Sequence, residues 1–365
     1  MEENTNKKNK IKKIILIIIA IGIVGMVGVL CWYNISLSPV SNQSEEVEIE
    51  IELGSFSNKI ANVLKEKGLI KSAEAFTIYA RLNNISDFQA GKYTLNKNMS
   101  VNEIVEVLKT GKLFNKNNIS ITFLEGKNIR WYANKIEEST NNKKEDFYNL
   151  LSDDEYLDEL IDKYWFLTDK IKDENIYYSL EGYLYPDTYS FNDKNITVKE
   201  IIEKLLDQTK EKLEKYKQSI QSSKYSVHEI LTMASIIELE GVYDSDKKDI
   251  ASVFYNRLEN NMSLGSDVTT YYAAKVEVGE RDLYQNEINQ SNLYNTRGPN
   301  MAGKLPIGPI SSVSESSIEA AIYPNSTDYF YFVADKDGKV YFTKNYTEHN
   351  KKITELKNSG LWYEF

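Results

Sequence analysis

The 365-residue sequence predicts an α+β protein in three parts: a single N-terminal membrane-spanning helix, a small α+β module and a larger α+β domain. Three observations predict it. Ile14–Tyr33 is a continuous run without charge, Val47–Leu53 alternates apolar and acidic residues with the period of a half-buried strand, and apolar residues at helical spacing recur behind capping signals. At about 150 residues per domain the length suits two folded domains. Hydrophobic content of 41% and charged content of 27% exclude disorder through the chain.

Residues 1–13 form a basic arm in which Lys7, Lys8, Lys10, Lys12 and Lys13 outweigh Glu2 and Glu3, a net +3. The apolar run 14–33, at about 1.5 Å per residue, covers the roughly 30 Å of a bilayer core. The positive-inside bias keeps the arm cytoplasmic and places everything after Tyr33 outside, a single-pass arrangement. Trp32, Tyr33 and Asn34 stand where a cleaved signal peptide has small residues. Leu30 before Cys31 argues against a lipobox, so Cys31 reads as an ordinary residue of the span.

Residues 34–46 read as a linker, and 47–115 as a small module. Within the module a strand at Val47–Leu53 is followed by a helix capped by Ser57, with Ile60, Val63 and Leu64 on one face and Gly68 as its stop. Ser72 opens a second helix through Phe76, Tyr79 and Leu82. Gly91–Leu95 returns as a strand, and Ser100 caps a third helix through Leu108, closed by Gly111. This order resembles the LysM type of glycan-binding module.

The larger domain, 116–365, opens with a strand at Ile119–Phe123. Residues 134–178 read as helical and acidic with Tyr164 and Trp165 as buried anchors, and 197–219 as a long helix opened by a Thr197–Glu200 capping box. Tyr329–Val333 and Lys339–Thr343 flank an Asp-Lys-Asp-Gly turn and predict a hairpin.

Two histidines and one cysteine exclude a Cys/His zinc site and an intramolecular disulfide framework, and no cofactor is expected. A net charge of −10 argues against a nucleic-acid partner. The helix opened by the Ser226–Glu229 box carries Val227, Ile230, Leu231 and Ala234 in one sector, and at 100° per residue Glu238 falls at its centre. Glu240 lies about 200° away from it, so the two glutamates do not form a pair. An acid in an apolar sector is raised in pKa, as a general acid near neutral pH requires. A structural glutamate accepting from loop amides fits the pattern equally.

Further stretches combine rigid backbone with flat rings and amide edges suited to sugars: Glu181–Tyr189, Phe254–Leu258, Gly265–Thr269, Tyr294–Thr296 and Leu305–Ile310. In order, EGYLYPDTY, ASIIELEG, FYNRLENNMSLGSDVTTYY, LYNT, LPIGPI, SIEAAIYP and YFYFVADKDGKVYF resemble the membrane-anchored YceG-like family of endolytic murein transglycosylases, from about Val47 to Lys351. The resemblance implies a LysM-like module joined to a catalytic domain, in a bacterial cell membrane with that domain extracytoplasmic. It puts the catalytic glutamate at the first acid of the ASIIELE block, Glu238. Tyr185, Asp187, Thr188, Tyr189, Asn256, Asp267, Thr269, Tyr294, Asn295 and Thr296 become candidates to contact or orient glycan. The sequence departs from the family pattern at Ser311-Ser-Val-Ser314, at Ser266-Asp-Val-Thr269 and at Arg297.

The implied reaction cleaves the bond between N-acetylmuramic acid and N-acetylglucosamine with closure of a 1,6-anhydro ring, which one carboxyl can serve because the sugar's own C6 hydroxyl attacks. Peptidoglycan strands and the membrane are the implied partners, with a peptidoglycan synthase or elongation complex beside them. Two rivals stand against it, a non-catalytic wall-binding scaffold and a two-carboxylate muramidase, the latter served by Asp267 if it lies opposite the acid. With +3 on the arm, the remainder carries −13 of the total −10, so recognition of an anionic wall polymer should rest on rings and amides among the 26 tyrosines and their neighbours.

Overall fold

The computed structural model describes residues 25–52, 54–110, 119–241 and 243–362. The chain divides into two compact units, Met1–Lys116 and Asn117–Phe365.

In the first unit residues 25–37 are helical. Among the described residues no helix is long and apolar enough to cross a membrane, and residues 14–24 of the expected span lie outside them. β1 (Glu46–Ile51) pairs antiparallel with β2 (Gly91–Asn96), Ile49 facing Tyr93 and Val47 facing Leu95. The alternation puts Ile49 and Ile51 in the core and Glu48 and Glu50 in solvent. Between the strands run α1 (Ser57–Glu66) and α2 (Ala73–Leu82), and α3 (Val101–Thr110) follows β2. Their apolar faces meet at Ile60, Leu64, Phe76, Ile104 and Leu108.

Local chemistry departs from expectation in two places. Ser57 is the first helical residue of α1 rather than its cap; Phe56 holds the cap position and makes no side-chain bond. The expected linker is pinned at its end, where Ser41 N–H donates to the Lys97 carbonyl and Glu45 N–H to Asn96 Oδ1. Ser72 caps α2 by accepting from Ala75 N–H, and Ser100 with Glu103 forms a reciprocal box on α3. Gly111 lies outside the described residues.

In the second unit β3 (Ile119–Thr122) pairs antiparallel with β4 (Thr188–Phe191). The stretch read as one acidic helical run is α4 (Ile129–Ser139), α5 (Lys144–Leu151) and α6 (Asp154–Lys163), followed by a 3-10 turn at Asp169–Lys172. Asn128 caps α4, which starts ahead of the expected run, and Asp153 caps α6 and breaks the run. Tyr164 is fully buried, whereas Trp165 is only partly covered. The Thr197 box opens α7 (Val198–Glu214), which stops short of the expected 219; α8 (Lys217–Ser222) takes over.

α9 (Val227–Glu240) is the spine of this unit. Its residues Ile230 to Ile237 are buried on every side, against α10 (Asp244–Glu259), α11 (Asp267–Ala273) and α13 (Glu315–Ile322), with the short α12 (Gln285–Ile288) between the last two in sequence. β5 (Tyr331–Ala334) and β6 (Val340–Thr343) form the expected hairpin, and α14 (Tyr346–Asn358) packs on both strands. Two sequence stretches meet below α9. Gly182, at φ +77, lies so close to Pro309 that an added Cβ would stand 2.3 Å from the proline Cβ. His228 Nδ1 accepts from the Tyr183 hydroxyl at 2.7 Å while Nε2–H donates to the Ile307 carbonyl at 2.7 Å. Both ring nitrogens are thereby used in joining Glu181–Tyr189, α9 and Leu305–Ile310, and burial depresses the imidazole's pKa.

Candidate active site

The last turn of α9 carries two carboxyls, and turning at 100° per residue separates them as the sequence predicts. Their surroundings differ, and Glu238 takes the loop-amide reading that the sequence leaves open beside the general acid. Glu238 leaves the apolar sector for a polar nest: its Oε2 accepts from Ser314 N–H at 3.0 Å, from the Ser314 hydroxyl at 2.5 Å and from the Ser317 hydroxyl at 2.6 Å. Lys247 Nζ, on α10, lies 3.4 Å from the same oxygen, and the two side chains are only 6% and 9% exposed. Lys247 also donates to Ser314 and Ser316 and pairs with Asp244. Four donors around Oε2 satisfy that oxygen and hold the side chain in this nest. Glu238 thus ties α9 to α10 and to the capping turn of α13, and Ser314 comes from the stretch that departs from the family pattern.

Glu240 faces a cavity of 690 Å³. Ser266 donates its hydroxyl to Glu240 Oε1 at 2.6 Å, and among the described residues no other donor reaches the carboxyl. Burial is the main cause that pushes its pKa up; Asp267 pushes it further, while Ser266, Arg297 and Arg257 oppose. The far wall is aromatic. The Tyr331 and His349 rings lie 5.3 Å apart between centroids, tilted by 30°, and the exposed ring of Tyr346 lies 6.5 Å from His349. Arg257 sits over the Tyr331 ring at 5.1 Å and donates to the Phe330 carbonyl, which fixes the hairpin to α10. Burial and Arg257 depress the His349 pKa, so this imidazole is neutral at neutral pH. Its neighbour Glu348 is held at the start of α14, where its N–H donates to Asn345 Oδ1 and its carboxylate accepts from the Asn345 side-chain amide and from Lys344 N–H.

The other sequence candidates divide sharply. Asp267 lines the cavity and pairs with Arg297. Thr269 and Thr296 are fully buried: their hydroxyls meet at 2.8 Å, and Thr296 Oγ1 accepts from Ser266 N–H at 3.0 Å. They therefore hold the turn that presents Ser266 to Glu240. Asn295, also fully buried, ties Thr270 to the carbonyls of Ile288 and Gln290. Tyr294 packs between Tyr177 and Tyr272, and Asn256 donates to the Thr327 and Tyr329 carbonyls ahead of β5. Tyr185 and Tyr189 are core residues joined by the Tyr189 hydroxyl and the Tyr185 carbonyl. Asp187 and Thr188 are exposed, at the start of β4 and away from this cavity. Buried side chains with internal partners offer nothing to a glycan, so of the ten expected contacts only Asp267 fronts the cavity.

Two residues escaped sequence reasoning. Ser266 stood beside the chosen Asp267, and a serine gives no signal of its own. Glu181 opens a stretch that drew attention for its tyrosines. It is 2% exposed, accepts from Ile129 N–H at the start of α4 and from the Tyr272 hydroxyl at 2.9 Å, and burial raises its pKa to about 7.

Residues 49–355 match the model of the YceG-like family. An endolytic murein transglycosylase of Bacillus subtilis (strain 168) is 39% identical over 317 residues, 86% of each chain. One from Streptococcus pneumoniae is 32% identical over 344 residues, 89% of this chain and 61% of the relative. A 2.6 Å crystal structure of a YceG-like protein from Listeria monocytogenes superposes with a TM-score of 0.60 at 36% identity, covering 85% of this chain and all of the other. A family match over so much of the sequence, with relatives at this identity, establishes that the chain belongs to the YceG-like family.

Proposed function

We propose that the protein is an endolytic lytic transglycosylase that cuts the N-acetylmuramic acid–N-acetylglucosamine bond of nascent peptidoglycan and leaves 1,6-anhydro ends, with Glu240 as the acid. The observation that carries the choice of Glu240 over Glu238 is the Ser266–Glu240 hydrogen bond in the lining of the 690 Å³ cavity, set against the four donors around Glu238 Oε2. Protonated Glu240 gives its proton to the glycosidic oxygen as the C1–O bond breaks. The sugar's C6 hydroxyl closes on C1, and its proton returns to the Glu240 carboxylate, so no water is consumed.

Asp267 belongs to the acid's own wall, one residue from the serine that holds Glu240, and its charge is matched by Arg297. A hydrolase's second carboxylate works across the ring from the first or flanks an attacking water, and this position favours neither. The apolar run 14–33 would tether the domain outside the membrane, the βααβ order of the first unit supports glycan binding of the LysM type, and a tethered cutter of new strands would limit their elongation beside a synthase complex.

The test is the product. Full-length protein in detergent, incubated with isolated peptidoglycan and followed by mass spectrometry, should release anhydro-ended fragments. Reducing ends would establish the muramidase, and retained binding without release the scaffold.

A further inference from the structure

The last turn of α9 and the first turn of α11 each divide their residues between two cavities. Glu240 and Asp267 face the cavity already described; Leu239 and Val268, their chain neighbours, line a second one of 280 Å³. The two spaces therefore share one wall, and the acid stands on it. An endolytic enzyme must hold sugars on both sides of the bond it cuts, so a strand laid across Glu240 passes from one cavity into the other.

We infer that this second cavity is a glycan subsite in which Trp131 and Tyr271 are the stacking platform for an N-acetylhexosamine unit. Trp131 stands on the first turn of α4, partly exposed, its ring braced edge-on against Tyr132 at 5.8 Å. Its backbone is fixed from two directions: Asn128 Oδ1 accepts from Trp131 N–H at 3.1 Å, and Glu181 accepts from Ile129 N–H. Tyr271 is partly exposed on α11, whose Tyr272 donates to the same Glu181. One buried carboxyl thus joins the backbone just ahead of Trp131 to the helix that carries Tyr271. Rings held this rigidly lose little entropy when a sugar's apolar face stacks on them, and the Leu239–Val268 ridge continues that apolar floor. The exposed amide of Asn134, one turn along α4 from Trp131, offers a donor and an acceptor to the sugar's acetamido group.

This inference rests on the proposed function and deepens it. Its test uses full-length protein in detergent, with Trp131→Ala, Trp131→Phe and Tyr271→Ala assayed on glycan strands of long and short defined length. Calorimetric titration of the same strands into Glu240→Gln with and without Trp131→Ala reads binding without turnover. Trp131→Ala and Tyr271→Ala should raise KM for long strands about tenfold with kcat within about twofold and weaken binding equally. Trp131→Phe should recover most of the loss, which a folding defect would not. Unchanged KM and unchanged binding in alanine variants of active protein overturn the subsite alone. Wild-type protein that neither binds nor cleaves overturns the reading beneath it and the subsite together.

Discussion

The Ser266 hydroxyl donates to Glu240 Oε1 at 2.6 Å, and the turn that presents it is locked by the buried hydroxyls of Thr269 and Thr296. A carboxyl oriented this way, with its pKa raised chiefly by burial, has the two properties of a general acid near neutral pH. Ser266→Ala should lower kcat about tenfold with KM little changed, because orientation is lost and the cavity is not. Steady-state kinetics on defined glycan strands checks it.

Asp267 raises the Glu240 pKa and Arg297 lowers it. Activity needs the protonated acid, so the alkaline limb of the kcat profile follows that pKa. Arg297→Gln should move the limb to higher pH and Asp267→Asn to lower pH. A shared shift, or none, would show that the pair serves only to shape the loop.

Lys247 and Glu238 form a nearly dry ion pair. Removing the ammonium alone strands a buried carboxylate, which typically costs ~3–5 kcal/mol. Lys247→Met should lose about that much in urea unfolding, and adding Glu238→Gln should restore a good part of it, since the charge left unpaired is then gone.

Glu181 has its pKa raised to about 7 by burial, against an ordinary value of 4.5. The folded state therefore holds this proton more tightly than the unfolded state does. Stability should fall as pH climbs from about 4.5 to 7, by up to ~3 kcal/mol from this group. Glu181→Gln should flatten that slope in denaturation followed across pH.

Gly182 has φ +77 and no room for a methyl group beside Pro309. Gly182→Ala should cost about 3 kcal/mol by backbone strain and overpacking together, read as a lower unfolding midpoint.

Much of the framework was legible because it is local. The period-2 run at Val47, the boxes at Thr197 and Ser226 and the hairpin turn at Asp335–Gly338 are decided within a few residues of chain. The pairing of β3 with β4 was not, since nothing near Ile119 announces a partner at Phe191. The site failed to read through for the same reason. A helical wheel places Glu238 and Glu240 at the right angles, but it sees only α9. Ser314, Ser317 and Lys247, which claim Glu238, and Ser266, which claims Glu240, arrive from other elements. The tyrosines and amides that looked fit for sugar were mostly drawn inside, because rings and hydroxyls also satisfy a large core.

The most direct measurement sets the two glutamates against each other. Full-length Glu240→Gln and Glu238→Gln are compared for release of anhydro-ended fragments from peptidoglycan, with thermal unfolding recorded on the same samples. Glu240→Gln should lose ~10²–10⁴-fold in rate while keeping its unfolding temperature, and Glu238→Gln should stay within about tenfold of wild type once its lower stability is allowed for. A folded Glu238→Gln that releases nothing, beside an active Glu240→Gln, would contradict the assignment.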